Sequence, residues 1–242
     1  MDLAFDVGVS PRHLSFVETG RSRPSPELVL ALADRLDVPL RESNALLLAA
    51  GYAPRYPETS LDAPAMVRVH AALQRLLDTH DPYPGVVIDR GWNVVLSNRA
   101  AGALVAGLPD HLLGPPLNVF RVCLHPDGLA AATRNFDEWA SYLLHQLHRL
   151  VALTTDPELE RLEREVRAYP NLVALNADSF WAGWDDPALL IPLQLETGGV
   201  ELSMFTTLTT FGTPRDITLA EVSVELFFPA DDSTDEILRA AG

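Results

Sequence analysis

The sequence predicts an α+β chain of two modules, an all-α N-terminal region followed by a region that combines an antiparallel sheet with helices. Three observations predict it: helix start and stop signals crowd the first 55 residues, strand-like alternation begins only after Tyr83, and charge is divided unevenly. Residues 1–55 hold 6 Arg against 7 Asp and Glu, whereas residues 56–242 hold 12 Arg against 26 acids. Phosphate contacts need basic surface, so only the near-neutral first part is suited to nucleic acid. The expected boundaries are 1–55 for the helical module, 56–82 for a connector and linker helix, and 83–242 for the mixed module.

In the first module, Asp2–Val7 reads as a short helix stopped by Gly8. Ser10 caps a second helix with Pro11 at its first position, where the missing N–H is no loss, and Gly20 ends it. Ser25-Pro26 repeats that start, and Leu28, Leu32 and Leu36 mark an amphipathic helix. A fourth helix runs over about Leu40–Ala50 and closes at Gly51. After an irregular connector, Met66, Val69, Leu73, Leu76 and Leu77 form a helical stripe over Pro64–Thr79, a bridging helix.

In the second module, GVVID and NVVLSN flank the turn Arg90-Gly91-Trp92 and predict a hairpin. Helical patterns follow over Asn98–Ala106, Val119–Leu124, Phe136–Leu153, Pro157–Tyr169 and near Leu172–Trp181. LLIPLQLE, a Gly198-Gly199 turn, VELSMFTTLTTF and ITLAEVSVELFF predict three antiparallel strands. The result is a sheet with helices packed on one side, and an acidic tail after Pro229 that frays.

The stretch VSPRHLSFVETGRSRPSPE has the form of the second half of a helix-turn-helix and its following loop. Leu14 and Val17 should face inward, leaving Arg12, His13 and Ser15 to meet base edges while Arg21 and Arg23 contact phosphates; the alternative is ordinary solvated surface. GVSPRHLSFVETGRSRPSPELVLALADRLDVPLRESNALLLAAGYAPRYPETSLD resembles the MmyB-like branch of Xre-type helix-turn-helix transcription regulators. FRVCLHPDGLAAATRNFDEWASYLLHQLHR resembles the helical centre of that family's second, PAS-like ligand-binding domain. The family pattern starts with a further helix, and here Met1 stands within the second one. The resemblance therefore implies a truncated DNA-binding module, through a mis-assigned start codon or a genuine loss, with DNA binding weak or absent in this chain. Large aliphatic side chains left uncovered each forfeit roughly 1.5–3 kcal/mol of burial.

The resemblance also implies a small hydrophobic ligand, a fatty acid being the expected class. Trp92, Phe120, Trp139, Phe180, Trp181, Trp184 and Phe205 are candidates to wall an apolar pocket, with core filling as the alternative. Arg121, His125 and Arg134 are candidates to receive a carboxylate, with helix-end salt bridges or caps as the alternative. His125-Pro126-Asp127-Gly128 reads as a tight turn, and Cys123 as inert packing. His145 and His148 sit three apart on one helix with metal-ligand spacing but no third ligand in sequence, so neither metal nor cofactor is expected.

The leading expectation is a cytoplasmic bacterial regulator that binds DNA as a homodimer and senses an apolar ligand. The alternative is a ligand-binding or dimerisation protein that has lost DNA binding through truncation. An enzyme is not expected, because G-x-S-x-G, Walker A, H-E-x-x-H and Rossmann glycine patterns are all missing. No apolar run has the length of a membrane span.

Overall fold

The computed structural model describes residues 2–154, 156–173 and 189–242, which fall into two compact units. The first comprises Met1–Val67 together with Phe211–Glu221, and the second Arg68–Thr210 together with Val222–Gly242. Eleven of the twelve residues that connect two strands of the second unit thus belong to the first.

The first unit carries α1 (Asp2–Asp6), α2 (Pro11–Glu18), α3 (Pro26–Arg35) and α4 (Leu40–Ala49). The predicted caps form: Ser10 accepts the His13 N–H and Ser25 accepts the Leu28 N–H, each at 3.2 Å. Gly8, Gly20 and Gly51 end their helices at positive φ, the conformation that glycine takes without strain. The buried face of α3 is Leu28, Val29 and Ala33, so the expected Leu28–Leu32–Leu36 stripe is displaced. Leu36 is the C-cap residue of α3 and is 58% exposed, because the chain has left the helix before it. Asn44 holds the connector on α4, accepting the Arg55 and Tyr56 N–H groups through Oδ1 and donating to the Tyr56 carbonyl.

The second unit is built on a five-stranded antiparallel sheet, in the order β2-β1-β5-β4-β3. Its strands are β1 (Gly85–Ile88), β2 (Val94–Ser97), β3 (Leu193–Thr197), β4 (Val200–Thr210) and β5 (Ser223–Pro229). Hairpins join β1 to β2 and β3 to β4, the latter through Gly198 and Gly199 at positive φ. Central β5 pairs Glu225 with Val86 of β1 and Leu208 of β4, so these three side chains share one face. Between the hairpins lie α6 (Arg99–Val105), α7 (Asp110–Leu113), α8 (Val119–Leu124), α9 (Phe136–Thr154), α10 (Pro157–Arg167) and α11 (Pro170–Val173).

The main core joins Ile88, Leu193, Leu195 and Met204 of the sheet to Phe120 and Leu124 of α8, Trp139, Leu143 and Leu147 of α9, and Leu159 and Val166 of α10. Helices do not occupy one side alone. The preceding helix α5 (Val67–His80) covers the opposite face, where Leu77 and His80 approach Gly85 and Leu226. Buried Asn98 ties these layers together: its Oδ1 accepts from Gly85 and Ala101 N–H, and its Nδ2 donates to the Leu77 and Tyr83 carbonyls.

Two further expectations are corrected. ITLAE is α12 (Ile217–Glu221), not strand, since its N-cap position Asp216 accepts the Thr218 N–H and starts a helix. The tail does not fray: Asp231 caps α13 (Asp232–Ala241), which buries Thr234 and Leu238.

Candidate functional site

On the DNA-facing candidate helix α2, Arg12 and Ser15 are exposed and His13 is half-buried. The Arg12 guanidinium lies 5.3 Å from the Phe16 ring centre and that of Arg21 lies 6.0 Å from it, so one ring gathers two cations. Sequence reasoning passed over Phe16, although its position four residues after Arg12 on the same helix was a usable signal. Arg23 is placed differently. It donates to the Ala50 and Gly51 carbonyls at 2.8 and 2.9 Å and stacks over Tyr52 at 4.5 Å, closing the C-terminus of α4.

In the second unit, Trp92, Phe120 and Trp139 enter one core cluster. Asp89 shapes the turn that delivers Trp92, accepting the Gly91 and Asn93 N–H groups, and Trp92 adopts a φ of 59° with its ring 4.8 Å from Phe120. Phe205 lies on the opposite face of the sheet, stacked on Phe228 at 5.5 Å. That face also borders a groove of about 450 Å³ lined by Ala72, Arg75, Leu76, Thr79, His80 and Leu226, none of them predicted. Phe180, Trp181 and Trp184 lie outside the described residues.

Two of the three basic candidates, Arg121 and Arg134, have close acidic partners. Arg121 of α8 grips Glu165 of α10 with two bonds of 2.7 and 2.8 Å, which hold the Glu165 carboxyl below its usual range. Arg134 approaches Glu196 at 2.9 Å on the surface. His125 packs between the His111 and Tyr169 rings. His148 bonds Glu163 at 3.1 Å.

The core of the second unit instead holds an acid that sequence reasoning missed. Glu225 is 5% exposed on the helix-covered face of β5. Burial pushes its carboxyl up to about 7, partly opposed by a bond from Thr206. The same desolvation, together with the Glu225 charge, pushes the Cys123 thiol up to about 12, consistent with an unreactive side chain. The indole N–H of Trp139 is buried with no hydrogen-bond partner among the described residues. Glu225 and Trp139 thus place an acid and an unpaired donor among otherwise apolar buried side chains.

A family model described as the MmyB-like transcription regulator ligand binding domain matches residues 69–241, and one described as helix-turn-helix matches residues 2–43. No curated protein matches. Among solved structures, the PAS domain of Bordetella pertussis BvgS is 13% identical, covering 72% of this chain and 94% of its own, with a TM-score of 0.31. An RNA-binding Light-Oxygen-Voltage receptor is also 13% identical, covering 98% of this chain and 53% of its own, with a TM-score of 0.28. The described residues contain no helix long and apolar enough to cross a membrane. A helix-turn-helix region fused to an MmyB-like ligand binding domain is the architecture of a regulator, and the chain belongs to the MmyB-like transcription regulators.

Proposed function

We propose that this chain reads DNA through Arg12, His13 and Ser15 of α2, with Arg21 on phosphate, and that its second unit senses a small apolar ligand of the fatty-acid class among Trp92, Phe120 and Trp139. It acts as a homodimer, matching the two-fold spacing of operators read by such helices. A carboxylate head meeting Arg121 or Arg134 has to displace Glu165 or Glu196, so the apolar body contributes most of the affinity.

The observation that carries this reading is the attachment of Phe211–Glu221. The segment starts from β4 and returns as β5, yet it is fastened inside the first unit. Arg41 of α4 holds Glu221 at 2.6 and 2.8 Å and Glu58 at 3.0 and 2.5 Å, and the Ile217 N–H donates to the Pro57 carbonyl at 2.8 Å. A ligand that shifts β4 or β5 pulls on this segment and through it on α4. Coupling between sites is typically about 1–3 kcal/mol, provided that the ligand prefers one arrangement.

The test measures affinity for DNA from the gene's own promoter at fixed salt, with and without lauric or palmitic acid. We expect the acid to change wild-type affinity about 5-fold or more. Glu221→Gln should reduce that effect to under about 2-fold while thermal stabilisation by the acid is kept. An undiminished effect in Glu221→Gln refutes the coupling route. Absence of stabilisation by any fatty acid, with nothing extractable from purified protein, refutes the ligand class.

A second reading is a dimerising sensor without DNA binding. It is favoured by α2, which has no buried residue, and by the exposed Phe5, Leu36 and Leu48. Failure to bind any promoter fragment at low salt would select it.

A further inference from the structure

We propose that His111, His125 and Asp127 form a binding site for a divalent transition-metal ion, zinc in particular, on the surface of the second unit. One donor atom from each lies within 4.8 Å of the other two. His111 Nε2 is 3.8 Å and His125 Nδ1 is 3.9 Å from Asp127 Oδ2. Both distances exceed a hydrogen bond, so the two imidazoles and the carboxylate converge without bonding one another. A point equidistant from all three lies at most roughly 2.5 Å from each, against the ~2.0–2.2 Å that zinc takes with nitrogen and oxygen, so a small closure completes the geometry.

The supporting structure holds two of the ligands in place. The His125-Pro126-Asp127-Gly128 turn is closed by the Gly128 N–H donating to the His125 carbonyl at 2.9 Å. A Cβ at Gly128 would stand 2.2 Å from the Val122 carbonyl oxygen, so glycine is needed for this close approach. The His125 ring rests edge-on against Tyr169 at 4.8 Å, and the Tyr169 hydroxyl donates to Glu165 at 3.0 Å. His111 comes from α7 and meets the His125 ring at 5.2 Å. His125 Nδ1 now accepts the Asp127 N–H at 3.1 Å, and coordination replaces that bond.

Two imidazoles and one carboxylate suit zinc, nickel, copper or ferrous iron, whereas calcium and magnesium prefer all-oxygen sets. Water completes the coordination at this exposed position. Bound metal would tie α7 to the turn that ends α8, the helix that presents Phe120 and Leu124 to the core. This inference is independent of the DNA and fatty-acid reading.

The test uses tag-free full chain stripped with chelator and titrated with Zn²⁺, Co²⁺ and Mg²⁺ by calorimetry, with Co²⁺ visible absorption reporting the ligand field. We expect one equivalent of Zn²⁺ at micromolar affinity or tighter, and no heat from Mg²⁺. His111→Ala and Asp127→Asn should each weaken Zn²⁺ at least 10-fold and lose the Co²⁺ band. Both side chains are exposed, so unchanged circular dichroism should accompany the loss. His145→Ala/His148→Ala should bind as wild type. Absence of Zn²⁺ binding, binding that survives both single substitutions, or loss in the His145/His148 variant overturns the site.

Discussion

Arg12 and Arg23 show how far apart two arginines of one motif can stand. Arg12 projects from α2 beside Phe16, while Arg23 is bonded to the Ala50 and Gly51 carbonyls just past α4. Arg23→Ala is expected to lower unfolding stability by about 1–2 kcal/mol, the worth of two charge-assisted bonds and a ring contact at an exposed site. Arg12→Ala should leave stability within about 0.5 kcal/mol and weaken DNA binding. Urea unfolding and DNA titration of both variants check this; equal stabilities contradict the role given to Arg23. Glu225 makes a second prediction. Its folded carboxyl titrates near 7, above the unfolded value of 4.5, so between those values the folded state holds a proton that the unfolded state has released. Stability therefore falls as pH rises through that window, by roughly 3 kcal/mol for this group. Glu225→Gln should abolish that part of the slope, matching wild type near pH 4.5 and exceeding it at pH 8. Parallel stability curves for the two proteins would show that the carboxyl ionises normally.

At the scale of elements, legibility followed local chemistry. The caps at Ser10 and Ser25, the glycine stops and the two hairpins were readable because each depends on residues within a few positions. α13 was misread because its acidic residues suggested a solvated tail, whereas Asp231 caps it and Leu238 is buried. Leu238→Ala is expected to cost about 2–4 kcal/mol, the range for a buried leucine, and thermal unfolding measures it. A negligible change would return the segment to the frayed state. Glu225 was illegible for a related reason. Along VSVELFF it alternates with Val224, Leu226 and Phe228, which marks it as the outward face. Helices cover both faces of β5, however, so alternation cannot say which is wet.

Across the whole molecule, charge divides along the sequence, near-neutral over residues 1–55 and acidic over residues 56–242. The acidic second module leaves groove and phosphate contacts to the helical one, and only residue-level pairing shows which arginines are available there. Its two units also share the chain in an order that sequence reading did not anticipate. The bridging helix was the expected route between modules, yet Phe211–Glu221 gives a second chain connection, anchored at Arg41.

Composition, capping and periodicity alone determined that helices come first, that an antiparallel sheet follows, and that α2 presents Arg12 and Ser15 outward, because those features arise from neighbours in the chain. Tertiary structure alone decided that Glu225 is buried, that Arg121 meets Glu165 across 44 positions, that Glu221 meets Arg41 across 180, and that His111 joins His125 and Asp127. Those pairings depend on which surfaces the fold brings together, and no local pattern of residues encodes that distance.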